Sequence, residues 1–256
     1  MVYRYAKGWL SALLLALSGC SVYVPMQGAA PDIRAKGELE VSGGWSLTNR
    51  LDFGATYSPL PHLLVRAAAS FKGSAPAHPD SANYLQNKQY ELAAGTYWPL
   101  GERWLVGGLA GFGRAHARAR YQEDGFALLS SAVQHQFDAH YNRYFSETYL
   151  TCKVGALATL GLSYRLVQLR LTEATDQSVA VQASPIWRHE PMVFFRVRPS
   201  EDSPVQFQAA VGASRSAHYD EQTAGDRYDP ARQFRTTRSY VSVGVALYPH
   251  LLRQRR

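Results

Sequence analysis

The feature that most constrains this chain is an alternation of apolar with polar or small residues, recurring in about ten segments from residue 36 onward. A period of two puts successive side chains on opposite faces of a β-strand. The last segment shows it most clearly. Val241, Val243, Val245 and Leu247 fall on one face, and Tyr240, Ser242, Gly244, Ala246 and Tyr248 on the other. Leu51, Phe53, Ala55 and Tyr57 oppose Asp52, Gly54, Thr56 and Ser58 in the same way, and Val205, Phe207, Ala209, Val211 and Ala213 oppose Gln206, Gln208, Ala210, Gly212 and Ser214. Strands of about ten residues with one greasy face are the pattern of a transmembrane β-barrel. The predicted strands lie near residues 36–46, 50–58, 62–72, 86–98, 103–119, 141–156, 158–172, 187–198, 204–216 and 237–249, with ends uncertain by about two to four residues. The expected fold is all-β: a single antiparallel up-and-down barrel of about ten strands, eight or twelve being the alternatives, embedded in a membrane. Mean hydropathy of -0.25 with a single apolar run near the start excludes a bundle of membrane helices, each of which needs about 20 apolar residues.

The connections test this expectation independently, because outer-membrane barrels alternate short periplasmic turns with long external loops. Short turns are predicted near Pro59-Leu60-Pro61, Pro99-Leu100-Gly101, Leu157-Ala158 and Ser200-Glu201-Asp202-Ser203. Long polar segments fall between them, near 73–84, 120–140, 173–186 and 217–236. Only Leu47-Thr48-Asn49 breaks the alternation. This phase predicts that both termini lie in the periplasm. Trp45, Tyr57, Phe71, Tyr97, Trp98, Trp104, Tyr149, Trp187 and Tyr248 sit near predicted strand ends, where interfacial girdles are expected.

Residues 1–19 form a different kind of segment, a signal peptide with Arg4 and Lys7 ahead of the short apolar stretch Trp9 to Leu17. It ends in Leu17-Ser18-Gly19-Cys20, a lipobox, so Cys20 is the predicted site of lipidation and the first residue of the mature chain. Residues 20–35 then read as a lipidated linker, 36–249 as the barrel, and 250–256 as a basic tail. Cleavage takes the formal net charge from +7 to +5, compatible with anionic lipid surfaces. Of the two cysteines only Cys152 then keeps a thiol, so no disulfide within the chain is expected. It alternates with Leu150 and Val154 on an apolar face and reads as a small lipid- or core-facing residue.

Cys20-Ser-Val-Tyr23-Val24-Pro25-Met26, Lys36-Gly37-Glu38-Leu39, Tyr57-Ser58-Pro59-Leu60-Pro61-His62 and the ending Ser70-Phe71 together resemble a group of Bacteroidetes-type lipoproteins described as outer-membrane β-barrels of uncharacterised function. The resemblance covers the first quarter of the chain in motif. It implies a lipidated outer-membrane barrel and carries over no catalytic residue.

The sharpest local chemistry is Arg114-Ala115-His116-Ala117-Arg118-Ala119-Arg120, which sets four basic groups on one strand face and three alanines on the other. Arginine at the midplane of a barrel wall costs about 2–4 kcal/mol. The row is therefore expected to line the lumen or rise above the membrane, where Arg114, His116, Arg118 and Arg120 would attract anions or lipopolysaccharide phosphates. Arg66, Lys72, Lys153, Arg165, Arg170, Arg196 and Arg198 could share the lumen with Glu38, Glu40, Asp52, Glu91 and Glu147, forming ion pairs that plug a narrow barrel. His135, Asp138 and His140 form a histidine-carboxylate group in a predicted loop, to which no metal is assigned. The chain contains no Gly-x-Ser-x-Gly elbow and no His-Glu-x-x-His motif, and no catalytic residue or cofactor is assigned. The reading is a lipid-anchored outer-membrane barrel, monomeric, with a structural or binding role. Its partners are outer-membrane lipid or lipopolysaccharide and the covalent lipid on Cys20, with no nucleic acid. The alternatives are a barrel enzyme acting on lipid A or peptide, and a periplasmic lipoprotein whose soluble barrel buries the same apolar faces at its centre.

Overall fold

The structure, a computed structural model, describes residues 22–73, 84–123, 133–217 and 230–253. Cys20, the signal peptide, His218 and the end of the tail lie outside the described residues. The strands are β1 (Leu39–Ser46), β2 (Arg50–Tyr57), β3 (Leu63–Lys72), β4 (Tyr84–Leu100), β5 (Trp104–Glu123), β6 (Val133–Val154), β7 (Ala158–Asp176), the two-residue β8 (Val179–Ala180), β9 (Ile186–Val197), β10 (Val205–Ser216) and β11 (Arg238–Leu247). Consecutive strands pair antiparallel from β1 to β7, β7 pairs with β9, and β11 closes the ring against β1. Ten strands make the barrel, and β8 is an extra strand on the end of β7. Closure leaves no unpaired edge around the wall, the condition for crossing a hydrocarbon layer with strands.

Side-chain direction separates two readings that alternation alone leaves open. Val193, Val211, Val243, Val245, Leu160, Leu162 and Phe207 all point outward and are exposed. The apolar face is thus the outer wall, and the soluble barrel with an inward greasy core is overturned. Tyr90 and Leu100 face outward ten residues apart on β4. At the rise and tilt of barrel strands this spans roughly 25 Å, the height of an outer-membrane apolar band. Trp45, Phe71 and Trp187 at one level and Tyr57, Trp98 and Trp104 at the other are all exposed at the rims. Tyr97, Tyr149 and Tyr248, expected in the girdles, instead point inward and are buried. The parity of their strands decides this, since each lies one position out of phase with the neighbouring outward residue.

Inward aromatics explain several glycines. Across the ladder Gly107 faces Tyr149, Gly111 faces Phe145, Gly161 faces Phe194 and Gly212 faces Tyr240. A Cβ on Gly161 would stand 2.0 Å from the Phe194 ring, so each missing side chain is the seat of the opposite ring.

The wall is uneven in height. β1 and β2 have 8 residues each, whereas β5, β6 and β7 have 20, 22 and 19. The segment predicted as a loop over 120–140 is largely strand: β5 runs to Glu123 and β6 begins at Val133. The extra strand carries no outward apolar row because it stands above the belt, and this made it read as loop. His62 holds its turn through Nδ1, 2.9 Å from the Tyr97 carbonyl, at φ 61°. Cys152 lies on the outer face between the exposed Leu150 and Val154, as expected.

Candidate functional site

The lumen comes first, because its contents decide whether anything can pass. Residues 22–33, expected as a linker outside the barrel, run through its interior without regular structure. Val22, Tyr23, Ala30 and Ile33 are completely buried. The Val22 N–H donates to the Gln233 carbonyl in the long β10–β11 connection, at 3.2 Å. At the opposite end, the Asp32 N–H donates to Glu40 near the start of β1 and the Arg34 guanidinium to the Glu102 carbonyl in the β4–β5 turn. The strap therefore enters from the long-connection mouth and leaves at the short-turn mouth. Residues 249–253 form a short helix at the short-turn end, where His250 contacts Leu39, the side on which the phase puts the carboxy terminus; Val22, the first described residue, lies at the other mouth.

A chain without ladder partners must have its backbone groups satisfied from elsewhere. Wall guanidiniums and amides do this. Arg238 donates to the Tyr23 carbonyl at 3.1 Å, Gln89 to Val24 at 3.2 Å, Arg50 to Pro25, and Arg165 to Met26 at 2.6 Å. Side chains add to it: the Tyr23 hydroxyl donates to Glu190 at 2.6 Å, with Arg188 stacked 4.5 Å from its ring, and the Tyr240 hydroxyl donates to Gln27 at 2.7 Å.

Around the strap the wall's charges pair with one another. Arg165 reaches Glu147 at 2.6 Å and Glu91 at 3.0 Å, and Arg196 reaches Glu40 at 3.0 Å. Arg66 lies 3.8 Å from Glu147. The expected ion-pair plug is present, with the strap as its unforeseen centre. Arg170, by contrast, is exposed on the outer wall, and Lys153 is exposed at the short-turn mouth beside Asp32 and Arg34.

The basic row on β5 has the opposite orientation to the one half expected. Ala115, Ala117 and Ala119 pack inward against Phe137, Ala139 and Tyr141, so Arg114, His116, Arg118 and Arg120 face outward. The lumenal version of the row is corrected: small alanines are needed inside, where the strap and the inward rings already fill the space. The rim version stands. Phe112, opposite Leu92 and Tyr144 across the ladders, marks the upper edge of the apolar belt, and Arg114, opposite Tyr90, is the next outward residue above it. Two residues along a tilted strand raise Arg114 only about 5 Å above that edge, the level of lipid phosphates.

Neighbouring strands enlarge the row into a patch. The register puts Lys88 beside His116 on one side, and His140 on the other. Arg170 follows one strand further, level with Asn142 and Arg114. The His116 and His140 rings stack at 3.9 Å. His116 Nε2 lies 2.7 Å from Asp138, which also accepts from Arg118 at 3.0 Å. Slight burial works to raise the Asp138 pKa, but His116 and Arg118 outweigh it and hold the carboxyl below its usual range. Arg170 and Arg114 lie over the Tyr144 and Phe112 rings, at 5.3 and 5.9 Å, fixing guanidiniums on the aromatic rim. Among the described residues neither Lys88 nor Arg114 has a carboxylate partner.

Of the predicted histidine-carboxylate group, Asp138 and His140 join His116 on the outer wall, while His135 turns inward to Asp176 at 2.6 Å. Parity again separates them, since His135 is odd and the other two are even. His116, Asp138 and His140 present ligand atoms within 4.8 Å of one another. The surrounding Lys88, Arg114 and Arg118 oppose a cation there and favour an anion. Lys88, the one basic residue of β4, was missed by sequence reasoning, and Arg170 was expected among the lumen cations; only the register joins them to β5.

No family model matches the chain, and no curated protein does. Solved structures similar to it include the translocator domain of autotransporter NalP from Neisseria meningitidis, with 11% identity and a TM-score of 0.48, covering 84% of this chain and 90% of that one. LpxR from Salmonella typhimurium is 8% identical with a TM-score of 0.38, covering 83% and 100%. The NanC porin is 10% identical with a TM-score of 0.35, covering 82% and 98%.

Proposed function

We propose that this protein is a lipid-anchored barrel of the bacterial outer membrane that conducts nothing through its lumen and holds a phosphorylated outer-leaflet lipid on its tall wall. The observation that carries this reading is the outward basic patch of Lys88, Arg114, His116, Arg118, Arg120 and Arg170 directly above the aromatic edge of the apolar belt. Arginine forks suit phosphate oxygens geometrically, and near the bilayer surface each cation contributes about 1 kcal/mol toward an anionic headgroup. Acyl chains of the same lipid would lie on the apolar wall below. The burial of the strap among the paired arginines of the wall supports a structural or binding role. The amino-terminal motif supports lipidation of Cys20, and the resemblance to lipoprotein barrels agrees with it.

The test is copurification. Protein extracted in mild detergent is expected to retain lipopolysaccharide, quantified by phosphate and by mass spectrometry. The variant Arg114→Ala/Arg118→Ala/Arg170→Ala is expected to retain several-fold less while keeping its heat-modifiable migration. Equal lipopolysaccharide on both proteins would sink the reading. The His116–Asp138 pair keeps an enzymatic reading in view, since it has the form of an oriented base. Release of fatty acid from lipid A by the purified protein, lost in His116→Ala, would replace the binding role with catalysis.

A further inference from the structure

The direction in which the strap is threaded fixes where the amino-terminal anchor must lie, and this deepens the reading that Cys20 is lipidated. Val22 is held at the long-connection mouth: its amide bonds Gln233, and it packs with Tyr23 in a cluster containing Ala231 and Phe234 of the same connection. From there residues 22–33 descend toward the short-turn mouth, where Asp32 meets Glu40. The short-turn mouth is the one that faces the periplasm, by the rule of connection lengths.

We infer that the lipid on Cys20 is inserted in the outer leaflet, on the cell-surface side, and that the chain enters its own barrel from outside. Val22 lies two steps along the chain from Cys20, a reach of about 7 Å, whereas the periplasmic leaflet is roughly 25 Å away across the apolar band. An inner-leaflet anchor is beyond that reach unless the strap leaves the lumen. Leaving is opposed by the seat itself. Tyr23 would abandon Glu190 and Arg188, and the carbonyls of Tyr23, Val24 and Met26 would abandon Arg238, Gln89 and Arg165. The groups left behind are buried charges, whose loss of partners is costly. A chain carrying bulky acyl groups cannot be drawn through so full a lumen, so the strands close around a strap already in place.

Sidedness is measured on intact cells producing the full chain with Cys152→Ser, keeping Cys20 for the lipid. A Ser21→Cys substitution is expected to react with a membrane-impermeant maleimide to the same extent as Gln177→Cys at the long-connection end. Glu102→Cys in a short turn is expected to react only after the outer membrane is permeabilised. Ser21→Cys reacting only together with Glu102→Cys would overturn the inference. If the thiol is shielded by the lipid and reacts in neither state, a short epitope inserted after Ser21 decides: antibody binding to intact cells upholds the inference, and binding only after permeabilisation overturns it. Incorporation of labelled palmitate, lost in Cys20→Ser, reads lipidation separately. A chain that takes up no palmitate yet labels from outside would refute the anchor and leave the threading intact.

Discussion

Single residues in the lumen act through the groups they would strand. Arg165 is fully buried and serves Glu91, Glu147 and the Met26 carbonyl at once. Replacing it with methionine of similar length removes the near cation and leaves two buried carboxylates with only the longer contacts of Arg66 and Arg143, at 3.8 and 3.9 Å, so Arg165→Met is expected to cost about 3–5 kcal/mol, read from urea unfolding in lipid vesicles. Replacing Arg165 and Glu91 together by apolar residues is expected to cost markedly less, because Glu147 then keeps Arg66 at 3.8 Å and Arg143 keeps Gln89 at 2.8 Å. The sequence foretold that Arg165, Glu91 and Glu147 could share a lumen, since all are polar positions in greasy strands. It could not foretell Met26 among their partners, because a backbone carbonyl of an irregular segment has no signature in residue type.

Among the elements, the strap and the tall strands depart furthest from their sequence reading. Val22 to Ile33 has no periodicity and contains Pro25 and Pro31, so it reads as linker, yet its apolar residues are among the most deeply buried in the molecule. Tyr23 is the element's anchor. Tyr23→Ala removes a buried ring and leaves Glu190 facing a void, and a loss of about 3–5 kcal/mol is expected in the same unfolding assay. Faster amide exchange along 22–33 should accompany it. The upper halves of β5 and β6 were hidden for another reason. Above the belt both faces change character: inside come Ala115, Ala117, Ala139 and Phe137, and outside Arg118, Asp138 and His140. A greasy outward face was the signal for a strand, and here water or headgroups replace lipid.

At the scale of the whole molecule the barrel separates two environments by turning parity into sidedness. Val193 on β9 stands in mid-belt between Leu162 and Val211. Val193→Arg is expected to destabilise the barrel by about 2–4 kcal/mol in vesicles, the cost of arginine at the midplane. Arg118→Ala, on the same outer face above the belt, is expected to leave stability within about 0.5 kcal/mol, since it is an exposed surface substitution. Similar losses for the two would mean that the belt does not sit in hydrocarbon.

Alternation by itself determined the all-β class, the ten barrel strands and most of their ends, because a strand exposes its period directly in residue type. The alternating connection lengths likewise fixed which mouth carries the long loops. What tertiary structure decided was which face is the outside, that Arg114 and its row stand on the outer wall with Lys88 and Arg170, and that the amino-terminal segment fills the barrel. Each of these depends on contacts between residues far apart in the chain. Pattern is local, whereas register, closure and the filling of an interior are properties of the assembled ring.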